Sequence, residues 1–246
     1  MKLLVCISKT PETTAKIEFS ADNTAFESSG VQYIMNPYDE WYALVRAIEL
    51  KEAAGGTVTI LNVGPAANDP VIRKGLAIGA DNAVRINAEA TSSLFVAKQI
   101  AEHAKAESYD MVFFGKETID YNGSEVSAMV AELLDQPFVS YASKMEVTGN
   151  TATITRDIEG GVEVVELDTP FVLSAAKGLA EQRIPNMRGI MMAKRKPLTV
   201  AEPVPFADVA QVVHYEKPPA KSAVKLIDPE NMDELVRLLH EEAKVI

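Results

Sequence analysis

The chain has 246 residues, with 24 Lys and Arg against 35 Asp and Glu, so it carries a formal net charge of −11 at pH 7. That length suits one large domain or two small ones with a core that needs no staples, and the acidic balance argues against sequence-independent nucleic-acid binding, which displaces counterions with positive charge. Cys6 is the only cysteine, which excludes an intrachain disulfide, a cysteine zinc site and a CxxC redox pair; no apolar run reaches the length of a membrane span, and a cytoplasmic, reducing location without membrane insertion is expected.

Leu3–Ile7 is the first β-type run. After Asn36-Pro37, the residues Trp41, Leu44, Val45 and Ile48 recur at helical spacing. Asn36 is read as the N-cap, Pro37 as the first helical residue, and Gly55-Gly56 as the stop. Thr57–Val63 is the second strand, Pro70 to Gly79 a short helix, and Ala83–Ile86 the third strand. A longer helix from Ser92 to Glu107 precedes the strand Met111–Phe114, and Asn122 to Leu134 reads as another helix. Strands alternating with helices predict an α/β fold, an open and mostly parallel sheet with helices on both faces.

The pattern changes near residue 140. Met145–Val147, Thr151–Ile158 and Val162–Leu167 read as a meander punctuated by Gly149-Asn150 and Gly160-Gly161, and Phe171–Ser174 as a strand rejoining the sheet. Residues 197–229 hold six prolines and little periodicity, too long and irregular for a loop inside a compact domain. A helix follows, with Asp228 as cap, Pro229 at its first position, and Met232, Leu235, Val236 and Leu239 on one face. The expected organisation is an α/β domain over residues 1–196 and an extended arm over 197–246, whose apolar helix needs something to pack against.

Familiar catalytic signatures fail. No GxGxxG follows a strand and no GxSxG elbow exists. Gly115-Lys116 has the end of a P-loop, but Asp110 stands where its first glycine belongs and Glu117 where Ser or Thr belongs. His103, His214 and His240 lie far apart without a visible ligand or base partner, so neither a metal site nor a catalytic residue is expected.

Binding is the chemistry left. Ligands of an open parallel sheet sit outside the carboxyl ends of its strands, where Ser8-Lys9, Asn36 to Asp39, Val63-Gly64-Pro65 and Gly115 to Val126 fall. The last is small, polar and opens a helix, so its N–H groups are placed to receive a phosphate, although an ordinary strand-to-helix turn has the same composition. A second unusual segment is Arg183 to Lys196: five basic residues, three methionines and no acid. Adaptable thioethers ringed by steering charge suit a surface that meets several partners. A solvated basic turn is the alternative.

Taken together, these motifs resemble the electron transfer flavoprotein β subunits. The likeness rests on Asn36-Pro37-Tyr38-Asp39, Gly79-Ala80-Asp81, Phe114-Gly115-Lys116 through Asp120, Arg156 to Gly161, and most specifically Gly178 to Arg183 running into Ile190 to Pro197. The resemblance implies an adenine-nucleotide α-hydrolase-like fold in a nucleotide-binding flavoprotein subunit, not an enzyme in itself. It implies a heterodimer with an α subunit, carrying electrons from flavin dehydrogenases, as in fatty acid β-oxidation, towards a membrane quinone oxidoreductase. FAD is shared and held mainly by the α subunit; a structural AMP is held by this chain. The matching positions for nucleotide are Ser8, Lys9, Asn36, Pro37, Tyr38, Asp39, Val63, Gly115, Lys116, Asp120, Asn122, Gly123, Ser124, Glu125 and Val126. Its recognition loop matches residues 183–197, with docking residues Arg183, Met187, Arg188, Ile190, Lys194, Arg195 and Lys196. Met187 stands where the family usually has Leu, of similar volume. The arm and its helix would pack on the α subunit. Thr13 resembles a bifurcating, NADH-linked branch with a second FAD in place of AMP, whereas the loop Tyr121 to Glu125 departs from both patterns, and Glu125 is awkward beside a phosphate. A nucleotide-binding module acting alone is a third reading, which the arm disfavours.

Overall fold

The structure is a computed structural model that describes residues 1–221 and 223–246. β1 (Lys2–Cys6), β4 (Thr57–Val63), β5 (Asn82–Ile86) and β6 (Met111–Gly115) are nearly continuous apolar runs because they are covered on both faces. With β7 (Phe138–Thr148), β8 (Thr151–Ile158), β9 (Gly161–Asp168), β10 (Phe171–Ala175) and β11 (Leu198–Ala201) they form one sheet of nine strands in the order β11-β5-β4-β1-β6-β10-β7-β8-β9. Pairing is parallel from β11 to β7 and antiparallel along β7-β8-β9.

Alternation along β1 divides the core. Leu3 and Val5 face α1 (Asp39–Ala54) and α2 (Asp69–Ile78), while Leu4 and Cys6 face α3 (Ser93–Glu107) and α4 (Val126–Leu134). The fold class expected from the sequence is the one observed. Two acids hold the strand starts in line: Asp110 Oδ2 accepts from the Lys2 N–H at 2.7 Å, and Asp81 Oδ2 from the Val58 N–H at 2.8 Å. The Asp110 that spoiled the P-loop pattern is thus a strand anchor. Gly56, at φ +127°, leaves no room for a side chain, since a Cβ would lie 1.9 Å from the Met1 carbonyl oxygen.

Several boundaries differ from the sequence reading. α1 begins at Asp39, preceded by Tyr38 at φ +64°, because the Asn36 side chain is spent across the neighbouring loop rather than on the helix. α4 begins at Val126 rather than Asn122, since Asn122 and Ser124 take positive φ. The strand around Met145 runs from Phe138, and the terminal helix α6 (Met232–Arg237) is capped by Asn231, not Asp228. Short elements were not legible: β2 (Lys9–Pro11) pairs antiparallel with β3 (Tyr33–Met35), and α5 (Met187–Ala193) lies within the basic segment.

The arm does not leave the domain at 197. β11 pairs with β5, and the chain then lies along α3. There Gln99 exchanges two hydrogen bonds with the Val204 backbone, and the Thr91 and Ser92 hydroxyls donate to Asp208 at 2.7 Å. Tyr215 stacks on Phe19 (4.8 Å, 15°), its N–H donates to the Asn23 carbonyl at 2.8 Å, and Lys217 pairs with Glu18. Farther along, Val224, Leu226, Met232 and Val236 are exposed. No helix of the described residues is long and apolar enough to cross a membrane.

Candidate functional site

β1 lies between β4, reached by a crossover on one face, and β6, reached from β5 on the other. The strand order reverses there, and the loops leaving β1 and β6 part to leave a crevice. A cleft of about 650 Å³ opens at this point, within the range of small-molecule sites. Its walls are the ends of β1, β4 and β6, the segment Gly123 to Ser127 entering α4, and Glu89 to Ser93 before α3. The arm supplies the remaining side through Ala210, Gln211, Val212 and Tyr215.

The floor is built by close approach. Gly115 ends β6 against the start of α1, where a Cβ would lie 2.7 Å from the Glu40 backbone nitrogen and 2.8 Å from its Cγ. This lets Glu40 sit 5 % exposed beneath the cleft, its carboxylate taking the Ser8 N–H at 2.7 Å and the Ser8 hydroxyl. Burial pushes the carboxyl up to about 8, and Asp120 and Asp39 add to the shift, although the hydrogen bonds from Ser8 oppose it. Glu40 is therefore mostly protonated at neutral pH, which removes one negative charge from a wall that also carries Glu117, Asp120 and Glu125. Lys116 pairs with Glu117 at 3.1 Å. On the β4 side the Ile7 carbonyl accepts from Asn62, whose Oδ1 accepts from Asn68, both at 2.8–2.9 Å. Arg85, almost fully buried, ties the Gly64 carbonyl to Asp69.

Ten of the residues expected to hold nucleotide line this cleft: Ser8, Lys9, Val63, Gly115, Lys116, Asp120, Gly123, Ser124, Glu125 and Val126. Asn36 does not reach it. Fully buried behind the β6 loop, it accepts from the Ile119 N–H (3.0 Å) and donates to the Glu117 carbonyl (2.9 Å), so it shapes the wall without lining it. Pro37, Tyr38 and Asp39 belong to a separate, shallower depression of about 380 Å³, shared with Tyr42, Lys116 and Lys177. There burial raises Asp39 to about 6 against the pull of Lys116. Thr13 is exposed, its hydroxyl donating to Glu12, and Asn122 turns at φ +49° outside the lining. Glu40, Asn62, Asn68 and Tyr215 were missed. Glu40 reads in sequence as one more acid at a helix start, and Tyr215 sits in a stretch without periodicity.

The basic segment divides in two. Asn186 caps α5 by accepting from the Gly189 N–H at 2.8 Å. Met187 is 74 % exposed, and Arg188, Ile190, Met191, Met192, Lys194 and Arg195 are exposed beside it. Arg183 and Lys196, expected to dock a partner, are instead engaged within the chain. Arg183 forms a two-bonded pair with Glu52 (2.8 and 3.1 Å), and the Lys196 ammonium donates to the carbonyls of Leu76 and Ala80. The Trp41 indole N–H holds the Arg183 carbonyl at 3.0 Å. Among the described residues no group of three or more His, Cys, Asp or Glu is placed to hold a metal.

The sequence profile of the electron transfer flavoprotein domain matches residues 24–205. The chain is 36 % identical to the electron transfer flavoprotein subunit beta of Bacillus subtilis (strain 168), with both chains covered in full. It is 34 % identical to the subunit of that name from Bradyrhizobium diazoefficiens, again over all of both chains. With the human one it shares 32 %, covering all of this chain and 99 % of the other.

Proposed function

The chain belongs to the electron transfer flavoprotein family as a β subunit, and from that premise we propose that it binds AMP in the cleft and docks flavin dehydrogenases through α5. It acts in a heterodimer with an α subunit that holds most of the FAD. FAD supplies the redox chemistry when bound; this chain binds, orients and encloses.

The observation that carries the AMP reading is the arm across the cleft. With Ala210 to Val212 and Tyr215 lining one side, the space is about 650 Å³, within the range of small-molecule sites, and the chain's own arm occupies room that a larger ligand would need. The donor set fits as well. The first N–H groups of a helix lack carbonyl partners, and Gly123 to Ser127 bring those of α4 into the wall, where a phosphate is favoured by the helix dipole. Glu125 contributes its backbone there. The base would lie against Val63 and Gly64, held in place by Arg85. The Tyr38 depression, on the other side of the Lys116 loop, is the surface this chain offers to the shared FAD.

Docking follows from α5. A cluster of Met187, Ile190, Met191 and Met192 exposed together is unfavourable in water and suits insertion into an apolar pocket. Arg188, Lys194 and Arg195 around it steer acidic partners. The exposed apolar residues beyond 218, with α6, are the part of the arm left to pack on the α subunit.

The test is to co-express the chain with its α subunit, denature the heterodimer and count the released small molecules by chromatography. One FAD and one AMP per heterodimer is the expected result. Two FAD and no AMP would replace this reading by the bifurcating, NADH-linked one.

A further inference from the structure

α5 is not mounted like a surface loop. Arg73, in the middle of α2, donates to the carbonyls of Ala193 (2.8 Å) and Lys196 (2.6 Å) at the end of α5. In return, Lys196 donates to the carbonyls of Leu76 (2.9 Å) and Ala80 (2.5 Å) at the end of α2. Leu76 and Ala193 lie in the last turns of α2 and α5, at the negative ends of their dipoles, and Ala80 and Lys196 lie just beyond, so Arg73 of α2 and Lys196, three residues past α5, brace the two helix ends against each other. The two helices also touch through backbone: a Cβ on Gly189 would lie 2.6 Å from the Ala77 carbonyl oxygen. Ala193 is buried between them, while Met187 and Met191 point their apolar surface outward.

We infer that Arg73 and Lys196 are positioning residues that fasten the docking helix to α2 as a rigid platform. The inference rests on the docking reading above. An apolar anchor on a mobile loop loses conformational freedom when it binds, whereas one already fixed in its bound orientation does not, and affinity rises accordingly. The crossed geometry also explains a basic run in which only some charges are free. Lys196 keeps its ammonium inside, where burial pulls its pKa below the ordinary lysine value, and leaves steering to Arg188, Lys194 and Arg195. The α2 helix further connects this platform to the cleft, since its first residue, Asp69, is bound by the Arg85 that holds Gly64.

The experiment uses the intact heterodimer carrying Arg73→Met or Lys196→Met, each keeping an apolar stem. Hydrogen exchange at the amides of residues 187–195 should accelerate at least tenfold. With a purified acyl-CoA dehydrogenase and its acyl-CoA as the probe, KM for the carrier should rise about tenfold while turnover at saturation and the FAD and AMP content stay the same. Lys196→Arg should restore the wild-type KM, which a general packing role would not predict. Gly189→Ala, which pushes α5 from α2 without leaving a buried charge unpaired, should repeat the effect and keeps the test open if a charge variant fails to fold. Unchanged exchange and KM in these variants would overturn the inference, as would a fall of turnover and cofactor content together with KM. Met187→Ala, measured alongside, separates the two readings: if it raises KM and the clamp variants do not, only the platform fails; if it too has no effect, the docking reading fails with it.

Discussion

The cleft and α5 are both shaped by a glycine in close contact, yet they leave different things unfinished. At the cleft, Gly115 draws α1 under the loops, and what remains open is a hollow whose mainly apolar lining carries a few polar groups, among them the start of α4 and several carboxyls. At α5, Gly189 draws the helix onto α2, and what remains open is apolar: Met187 at 74 % and Met191 at 67 % exposure. A mostly apolar hollow with a few placed polar groups is completed by a small ligand, and an apolar knob by a partner that brings a pocket. The difference therefore lies in shape, a hollow against a projecting helix, and each region should break separately.

The largest effect is expected for Gly115→Ala. Its Cβ meets backbone rather than a flexible side-chain end, so α1 must move, at a cost of about 1–3 kcal/mol. On the AMP reading, the heterodimer should lose the AMP counted after denaturation and several degrees in Tm, while the exchange rates of residues 187–195 stay as they were. Retention of AMP with unchanged Tm would show that the floor is not as tight as the geometry states.

Met187→Ala should do the reverse. An exposed side chain contributes within about 0.5 kcal/mol to stability, so Tm and AMP content should not change. Removing an anchor at the centre of an interface costs 1–2 kcal/mol or more, and KM for the carrier should rise about tenfold. Equal KM values for the two proteins would remove α5 from the interface.

Tyr215→Ala sharpens the cleft side. The stack on Phe19 and the 3.5 Å approach of its hydroxyl to that of Tyr121 hold the arm across the opening. Without the ring, radiolabelled AMP should dissociate several-fold faster from a heterodimer isolated with full occupancy. An unchanged dissociation rate would mean that the arm is not the barrier.

The sequence revealed what depends on long apolar patterns and concealed what depends on single contacts. β1, β4 and β6 are buried on both faces and read as apolar runs, and α1 to α3 show helical spacing between recognisable stops. β2 has three residues ending in Pro11, and β11 follows Pro197 with Val200 half exposed, so neither carries a pattern. Asn36 has the right type and place for an N-cap, but its amide serves Glu117 and Ile119 instead, a choice fixed only once β6 is in position. Lys196 reads as one more charge in a basic run, and nothing local says that its ammonium finds the end of α2. The cleft was located from strand ends and loop chemistry; its outer side, supplied by residues 210–215, was not, because the arm has no periodicity to place it.

The smallest functional effect, and the one most specific to the cleft floor, is expected for Glu40→Gln. The carboxyl is raised from an ordinary value of 4.5 to about 8 in the folded chain because burial disfavours its charged form. A raised acid stays protonated on folding but ionises once the chain unfolds, so folding takes up a proton between these two values. The contribution of the neutral carboxyl is fully present below about 4.5 and is lost progressively as pH rises to about 8, above which it no longer changes. Glutamine keeps an oxygen for the Ser8 N–H and has no proton to lose. The Tm of the variant minus that of the wild type should therefore open by several degrees between pH 5 and 8 and then level off. Asp39, one residue away and raised to about 6, titrates in the same window but is present in both proteins and cancels in the difference. A Tm difference flat across this range would mean that Glu40 is ionised beneath the cleft, and the charge facing a bound phosphate would be one unit more negative than the burial of Glu40 allows.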